Sequence, residues 1–294
     1  MNIVCIQSGL GNQMFQYAFF RALQQRRGDA YMDISQYAYR PSHNGYELEK
    51  LFYIQPQYAT AEQRNQLVDV SKDFFSVCRR ALGFTHTGTG HLREEPQGTI
   101  VRYDPTVWEE NNCYFRGYWQ SPKYFAAIEH LLREEFRFRL PLTSEADLHT
   151  LQLIEQAHSV SVHIRRGDYL KKRRKEDYEV CTPAYYQRAI KQMQNQAGNV
   201  RFFIFSDEIE WAEANIPFPA DTVFVKGHSG EDAWKDMLLM SRCRHHIIAN
   251  SSFSWWGAWL NPDPQKIVLA PDCWFRHRQR PDILPDTWQT IATE

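Results

Sequence analysis

Four segments hold the residue types that could do chemistry. The densest is His163-Ile164-Arg165-Arg166-Gly167-Asp168-Tyr169, directly after a β-rich run. Two adjacent arginines at a strand end point differently. One guanidinium can fork onto a phosphate while its neighbour pairs with a carboxylate such as Asp168. A purely structural Arg–Asp pair would have the same sequence. The basic run Lys171-Lys172-Arg173-Arg174-Lys175 follows; it suits a solvated loop, or contact with a phosphorylated donor or an anionic lipid surface. The second segment is Gly9-Leu10-Gly11-Asn12-Gln13. Glycines before a helix leave backbone N–H groups open to an anion, and Asn12 and Gln13 add side-chain donors. A tight βα turn with an Asn cap fits equally, and the spacing is not that of a dinucleotide fingerprint.

The third segment, Phe205-Ser206-Asp207-Glu208, ends an apolar run with a carboxylate. Asp207 can accept from both N1–H and the 2-amino group of a guanine edge, or cap the helix that follows. The fourth is Asn250-Ser251-Ser252-Phe253-Ser254-Trp255-Trp256-Gly257-Ala258-Trp259. Hydroxyls and amides at a helix start suit a phosphate. The three tryptophans suit packing.

The elements that must position these residues alternate. Asn2–Gln7 reads as a strand, the Met14–Leu23 periodicity as a helix closed by Gly28, and Ala30–Ile34 as a second strand. Residues 35–100 are polar and irregular, with short helices near 61–69 and 71–82 and an exposed loop over Thr85–Gly98. Tyr114–Trp119 reads as a strand and Pro122–Phe136 as a helix. A change of character over 137–145 places a domain boundary there. Strands over Ser159–Ile164, Arg201–Phe205, Thr222–Val225, His246–Ala249 and a last one over Lys266–Ala270 then alternate with helices over Pro183–Ala197, Glu208–Asn215, Ser229–Arg242 and from Ser254. Alternation of this kind predicts parallel sheets with helices on both faces. Two α/β domains, 1–140 and 141–294, are expected with a cleft between them. Open parallel sheets bind ligands at the carboxyl ends of their strands, which is where the distinctive loops fall.

Composition narrows the classes. Hydrophobic residues make 43% and charged residues 23%, which excludes a disordered chain. With 34 basic and 35 acidic residues the net charge is −1, so no global field exists to hold nucleic acid or a membrane. The aromatic share of 14% fits both cores and sugar-stacking faces. The 6 cysteines show no CxxC spacing, so no zinc site is expected. With neither a leader-like start nor a long apolar run, a cytoplasmic protein with reduced thiols is expected. The sequon Asn250-Ser251-Ser252 then carries no glycan.

GLGNQMFQYA, HIRRGDY, FSDEIEW and IIANSSFSWWGAWL, in this order and spacing, resemble the bacterial α-1,2-fucosyltransferases, glycosyltransferase family 11. The resemblance runs from residue 1 to about 275. It implies a GT-B-like fold of two Rossmann-like domains, the first on the acceptor side and the second binding GDP-fucose. It implies inverting transfer of L-fucose from GDP-β-L-fucose to the 2-hydroxyl of a terminal β-galactoside, on an oligosaccharide or a lipid-linked glycan. A fucosyl or other nucleotide-sugar transferase of different linkage, or a non-catalytic nucleotide-sugar-binding module, are the alternatives. No metal cofactor is implied, since a basic side chain replaces Mg²⁺ at the pyrophosphate. By position, Arg165 is the β-phosphate ligand and Arg166 stands beside it. His163 and Asp207 meet guanosine, and Ser251, Ser252 and Phe253 line the phosphate. Gly11, Asn12 and Gln13 approach the donor from the other domain. Asp168 is the best-placed carboxylate for a base, or else it holds Arg166. Neither a nucleic-acid partner nor a transmembrane segment is implied; peripheral contact at the inner face of the plasma membrane is compatible.

Overall fold

The computed structural model describes residues 1–39, 43–69, 74–84, 88–95, 101–170, 181–275 and 282–293, without the side chains of Asp168 and Leu170. The described residues form two compact units, one reaching Arg139 and the other starting at Leu140. The basic run 171–175 lies outside the described residues.

The first unit carries four parallel strands: β1 (Asn2–Cys5), β2 (Ala30–Asp33), β3 (His91–Glu94) and β4 (Cys113–Arg116), in the order β2-β1-β4-β3. After β1 the chain turns into an 18-residue helix, Leu10–Arg27. It is buried nearly all round from Leu10 to Leu23, so its polar members must be paired. Arg21 accordingly meets Glu135 at 2.6 Å, and the Tyr17 hydroxyl donates to the same carboxylate at 2.7 Å. Gly28 closes the helix in the left-handed conformation, φ 80°, which a side chain would resist.

Two expectations fail here. β3 lies inside the stretch expected to be an exposed loop. His91-Leu92-Arg93-Glu94 is a mostly exposed edge strand with no apolar alternation to announce it. The single helix expected over Pro122–Phe136 is two 3-10 turns followed by a helix over Glu129–Glu135.

The second unit has six parallel strands: β5 (Ser159–Ile164), β6 (Arg201–Ser206), β7 (Val223–Phe224), β8 (His245–Ile247), β9 (Val268–Pro271) and β10 (Gln289–Ile291). β10, a further strand beyond the last one expected, is short and exposed at two of its residues. Read from β7 to β10, and counted within the unit, the order is 3-2-1-4-5-6, that of dinucleotide-binding sheets. All six residues of β5 are buried, as a central strand covered on both faces requires. Val160, Val162, Ile164, Phe202, Ile204, Tyr185, Ile190 and Met193 form the core beneath it. The order reverses between β5 and β8, which pair directly. At such a switch point the loops leaving the two strands diverge and open a crevice. Here those loops are the His163–Tyr169 and Ile248–Phe253 segments, so the topology alone sets them side by side.

Candidate functional site

The register fixes what surrounds the arginines. His163 lies opposite Phe205, and Ile164 opposite Ser206. The chain therefore leaves β5 alongside Asp207. One oxygen of that carboxylate accepts the backbone N–H of Arg166 at 3.0 Å, and the other meets the Arg165 guanidinium at 3.1 Å. A Cβ on Gly167 would come within 2.8 Å of the Asp207 carboxylate, so glycine permits this close approach. Arg166 turns the other way. Its Nε donates to Glu208 at 3.2 Å and its guanidinium lies 3.4 Å over the Trp211 ring.

The sequence left Arg166 open to Asp168; its described partner is Glu208. Asp168 itself falls in a 3-10 turn over Gly167–Leu170 and its side chain lies outside the described residues. The capping role for Asp207 is corrected as well. The following helix runs from Ile209 to Asn215, its N-cap is Glu208 without a side-chain cap bond, and the Glu208 N–H is taken by the Ser206 hydroxyl. Asp207 holds the 165–167 loop instead.

Across the switch point, the helix Ser252–Leu260 starts at Ser251 with no side-chain cap hydrogen bond. The Ser254 hydroxyl turns back to the carbonyls of Ala249 and Ser251. Ser251 thus leaves its helix without a side-chain cap of its own, at the donor end that attracts anions. The two loops are tied together. The Tyr169 hydroxyl donates to the Asn250 carbonyl at 3.0 Å, and the Arg165 guanidinium lies 5.8 Å from the Tyr169 ring centroid. The His163 and Phe253 rings are 5.8 Å apart. Asn250 is fixed by its own amide, which donates to the Trp274 carbonyl at 3.0 Å. Trp255, Trp256 and Trp259 are buried and pack as core, as expected of them.

His163 is buried, and its Nδ1 has no hydrogen-bond partner among the described residues. Burial, with a smaller contribution from the Arg165 charge, pushes its pKa down to about 3, so the ring is neutral. The effect on stability has a definite sign. Above the ordinary value of about 6.5 neither state is protonated. Below it the unfolded chain takes up a proton that folded His163 refuses, so stability falls from pH 6.5 toward 3, by up to about 1.4 kcal/mol per pH unit. His228 works the other way. It sits between Asp236 at 2.5 Å and Asp147 at 2.8 Å, and hydrogen bonding to Asp236 leads in raising its pKa. Its contribution is full below pH 6.5 and is lost as pH rises through the elevated value. Melting curves from pH 4 to 8 should therefore show a flatter acid limb for His163→Gln and a flatter alkaline limb for His228→Gln. An acid limb unchanged in the His163 variant would show that this ring is not kept neutral by folding.

In the first unit, the Gly9–Gln13 segment is not a loop. The helix begins at Leu10, so Gly11, Asn12 and Gln13 lie in its first turn. The backbone N–H groups of Asn12 and Gln13 both bond to the Gly9 carbonyl. The Gln13 side chain is wholly buried and committed: it donates to the carbonyls of Ser8 and Gly45 and accepts from the Glu47 N–H. It holds the Ser8 and 45–47 backbone in place. Asn12 donates to the Ser8 hydroxyl at 3.1 Å and accepts from Gln120 at 2.7 Å.

Sequence reasoning missed Glu208, Trp211, Tyr169 and Asn250 as positioning residues. Trp211 carried one signal: it lies three residues after Glu208, so a helix starting there puts both on one face.

A family model, Glycosyl transferase family 11, matches residues 104–291. An α-1,2-colitosyltransferase of Escherichia coli is 33% identical over 97% of each chain. The O-antigen biosynthesis glycosyltransferase WbnK of Escherichia coli is 29% identical over 97% of this chain and 98% of its own. A galactoside α-(1,2)-fucosyltransferase 1 of Saimiri boliviensis boliviensis is 30% identical over 47% of this chain and 40% of its own. The solved fucosyltransferase NodZ from Bradyrhizobium superposes with a TM-score of 0.48 and 16% identity, over 89% of this chain and 93% of its own. By the family match and the full-length similarity to the colitosyltransferase, the chain belongs to glycosyl transferase family 11.

Proposed function

We propose that the protein moves L-fucose from GDP-β-L-fucose, with inversion at C1, to the 2-hydroxyl of a terminal β-galactoside in an α-1,2 linkage. The observation that carries this reading is Arg165, held by Asp207 at the switch point beside the start of the Ser252–Leu260 helix. Departure of GDP builds negative charge on the β-phosphate. A fixed guanidinium and a helix N-terminus stabilise that charge without reorganising. Ser251, Ser252 and Phe253 line the same place on this reading, with the neutral His163 ring beside Phe253 on the guanosine side. Arg166 acts at one remove by fixing the loop from Glu208 and Trp211.

On this reading the second unit holds the donor and the first receives the acceptor. Asp168 takes the proton from the acceptor hydroxyl as oxocarbenium character develops at fucose C1. No metal is assigned to the leaving group, because Arg165 and the helix start occupy that role. Turnover is therefore expected to persist in excess EDTA. Loss on chelation, restored by Mg²⁺ or Mn²⁺, would show that the charge is met differently. Among the described residues no helix is long and apolar enough to cross a membrane, so a lipid-linked acceptor would be met at the membrane surface.

A second reading takes colitose as the transferred sugar, favoured by the colitosyltransferase that matches 97% of the chain. Colitose is fucose without its 3-hydroxyl, so the question is whether the site pairs that hydroxyl. GDP-fucose and GDP-colitose should be run side by side over a panel of β-galactoside acceptors, with linkage analysis of each product. An α-1,2-fucosyl product as the preferred outcome supports the proposal. Preference for colitose, or another linkage, replaces it, and GDP-sugar binding without transfer to any acceptor would make the chain a binding module.

A further inference from the structure

We propose that His91, Glu110 and Cys113 hold a thiophilic divalent cation, zinc above all, at the edge of the first unit's sheet. The three residues come from different places in the chain. His91 and Cys113 are direct partners across the parallel β3–β4 ladder, and paired residues present their side chains to the same face. Glu110 joins them from the turn before β4, where Asn112 takes a left-handed φ of 51°. One ligand atom from each of the three, imidazole nitrogen, carboxylate oxygen and thiol sulfur, lies within 4.8 Å of the other two.

The donor set is held from behind. Arg93, two residues along β3 and so on the same face as His91, bonds one oxygen of Glu110 and also reaches Asp104 and Thr106. The other Glu110 oxygen faces His91 Nε2 at 2.6 Å. Asp104 meets the charge of Arg93, so the guanidinium orients the carboxylate with its own charge offset. The His91–Glu110 hydrogen bond occupies the place a cation would take.

Cys113 decides the class of ion. Its side chain is wholly buried and brings a sulfur donor to the group. A sulfur donor selects cations that bond sulfur strongly. In the binding step the Sγ–H bond breaks, the proton leaves to solvent and an Sγ–metal bond forms, with no change of oxidation state. One sulfur, one nitrogen and one oxygen suit zinc, with water completing four-coordination; magnesium and calcium prefer oxygen throughout. The ion would brace an otherwise exposed edge strand.

The test uses the whole chain, stripped with chelator and titrated with Co²⁺. One equivalent should produce a thiolate-to-cobalt charge-transfer band that zinc abolishes and magnesium does not, and zinc should raise the melting temperature. His91→Ala, at a half-exposed side chain, should weaken cobalt binding at least 10-fold. Cys113→Ser should lose the band. Absence of a band in the wild-type protein overturns the proposal. So does a band unchanged in His91→Ala, which would move binding to another thiol such as Cys78. If Cys113→Ser does not fold, the His91 variant decides alone. Sugar transfer by the stripped protein is a separate readout, and its failure would bear on the leaving group rather than on this site.

Discussion

Replacing Arg165 with alanine should lower turnover by about 10²–10³-fold while leaving the protein folded, because one preorganised donor aimed at developing charge is worth that much. The side chain is partly exposed, 28%, and the contact it leaves behind is an Asp207 that still accepts the Arg166 N–H. Thermal stability should therefore change little. Lysine should restore only part of the loss, since a point charge cannot donate in a fork. Steady-state rates with GDP-fucose, beside a melting curve, measure both. A folded alanine variant keeping more than a third of wild-type turnover would remove Arg165 from the mechanism.

Asp207→Ala is expected to cost about 10- to 100-fold in turnover by a different route. Losing the carboxylate removes its contact to the Arg165 guanidinium and to the Arg166 N–H, and hydrogen bonds to a charged group are worth about 1.5–3 kcal/mol. Asp207→Asn should recover the contact to the Arg166 N–H but not the grip on Arg165, and so fall between. The nucleotide preference separates this task from direct reading of a guanine edge. If Asp207 acts through Arg165, the ratio of GDP to IDP affinity stays as in the wild type, because IDP lacks only the 2-amino group. A narrowed ratio in calorimetry would return the carboxylate to the base.

Parts of this architecture were legible because their causes are local. β5, β6 and the Pro183–Ala197 helix carry dense apolar patterns and clean caps, and the structure places them within a residue of the expected bounds. The switch-point loops were legible because unusual polar residues follow those strands directly. β3 was not, since an edge strand buries little and need not alternate. The commitments of Gln13 and Arg166 were also out of reach. Their partners at Gly45, Glu47 and Glu208 lie 32, 34 and 42 positions away, distances that no periodicity spans. The His91–Glu110–Cys113 grouping escaped for the same reason: cysteine spacing detects donors on one turn, and this set is assembled by a strand pairing.

The close approach of Gly167 to Asp207 makes the order of mutations matter. An alanine at 167 must push aside a carboxylate pinned by Arg165, so Gly167→Ala should be harmful in the wild-type background. With a serine already at 207 the obstruction is gone, and the same alanine should cost little beyond what the serine has cost. A lineage that loses the aspartate is thereby released from the glycine, whereas one that keeps it is not. The pair behaves as a ratchet: once a side chain has appeared at 167, restoring Asp207 alone no longer restores the loop, and return to the ancestral geometry requires both changes in reverse order.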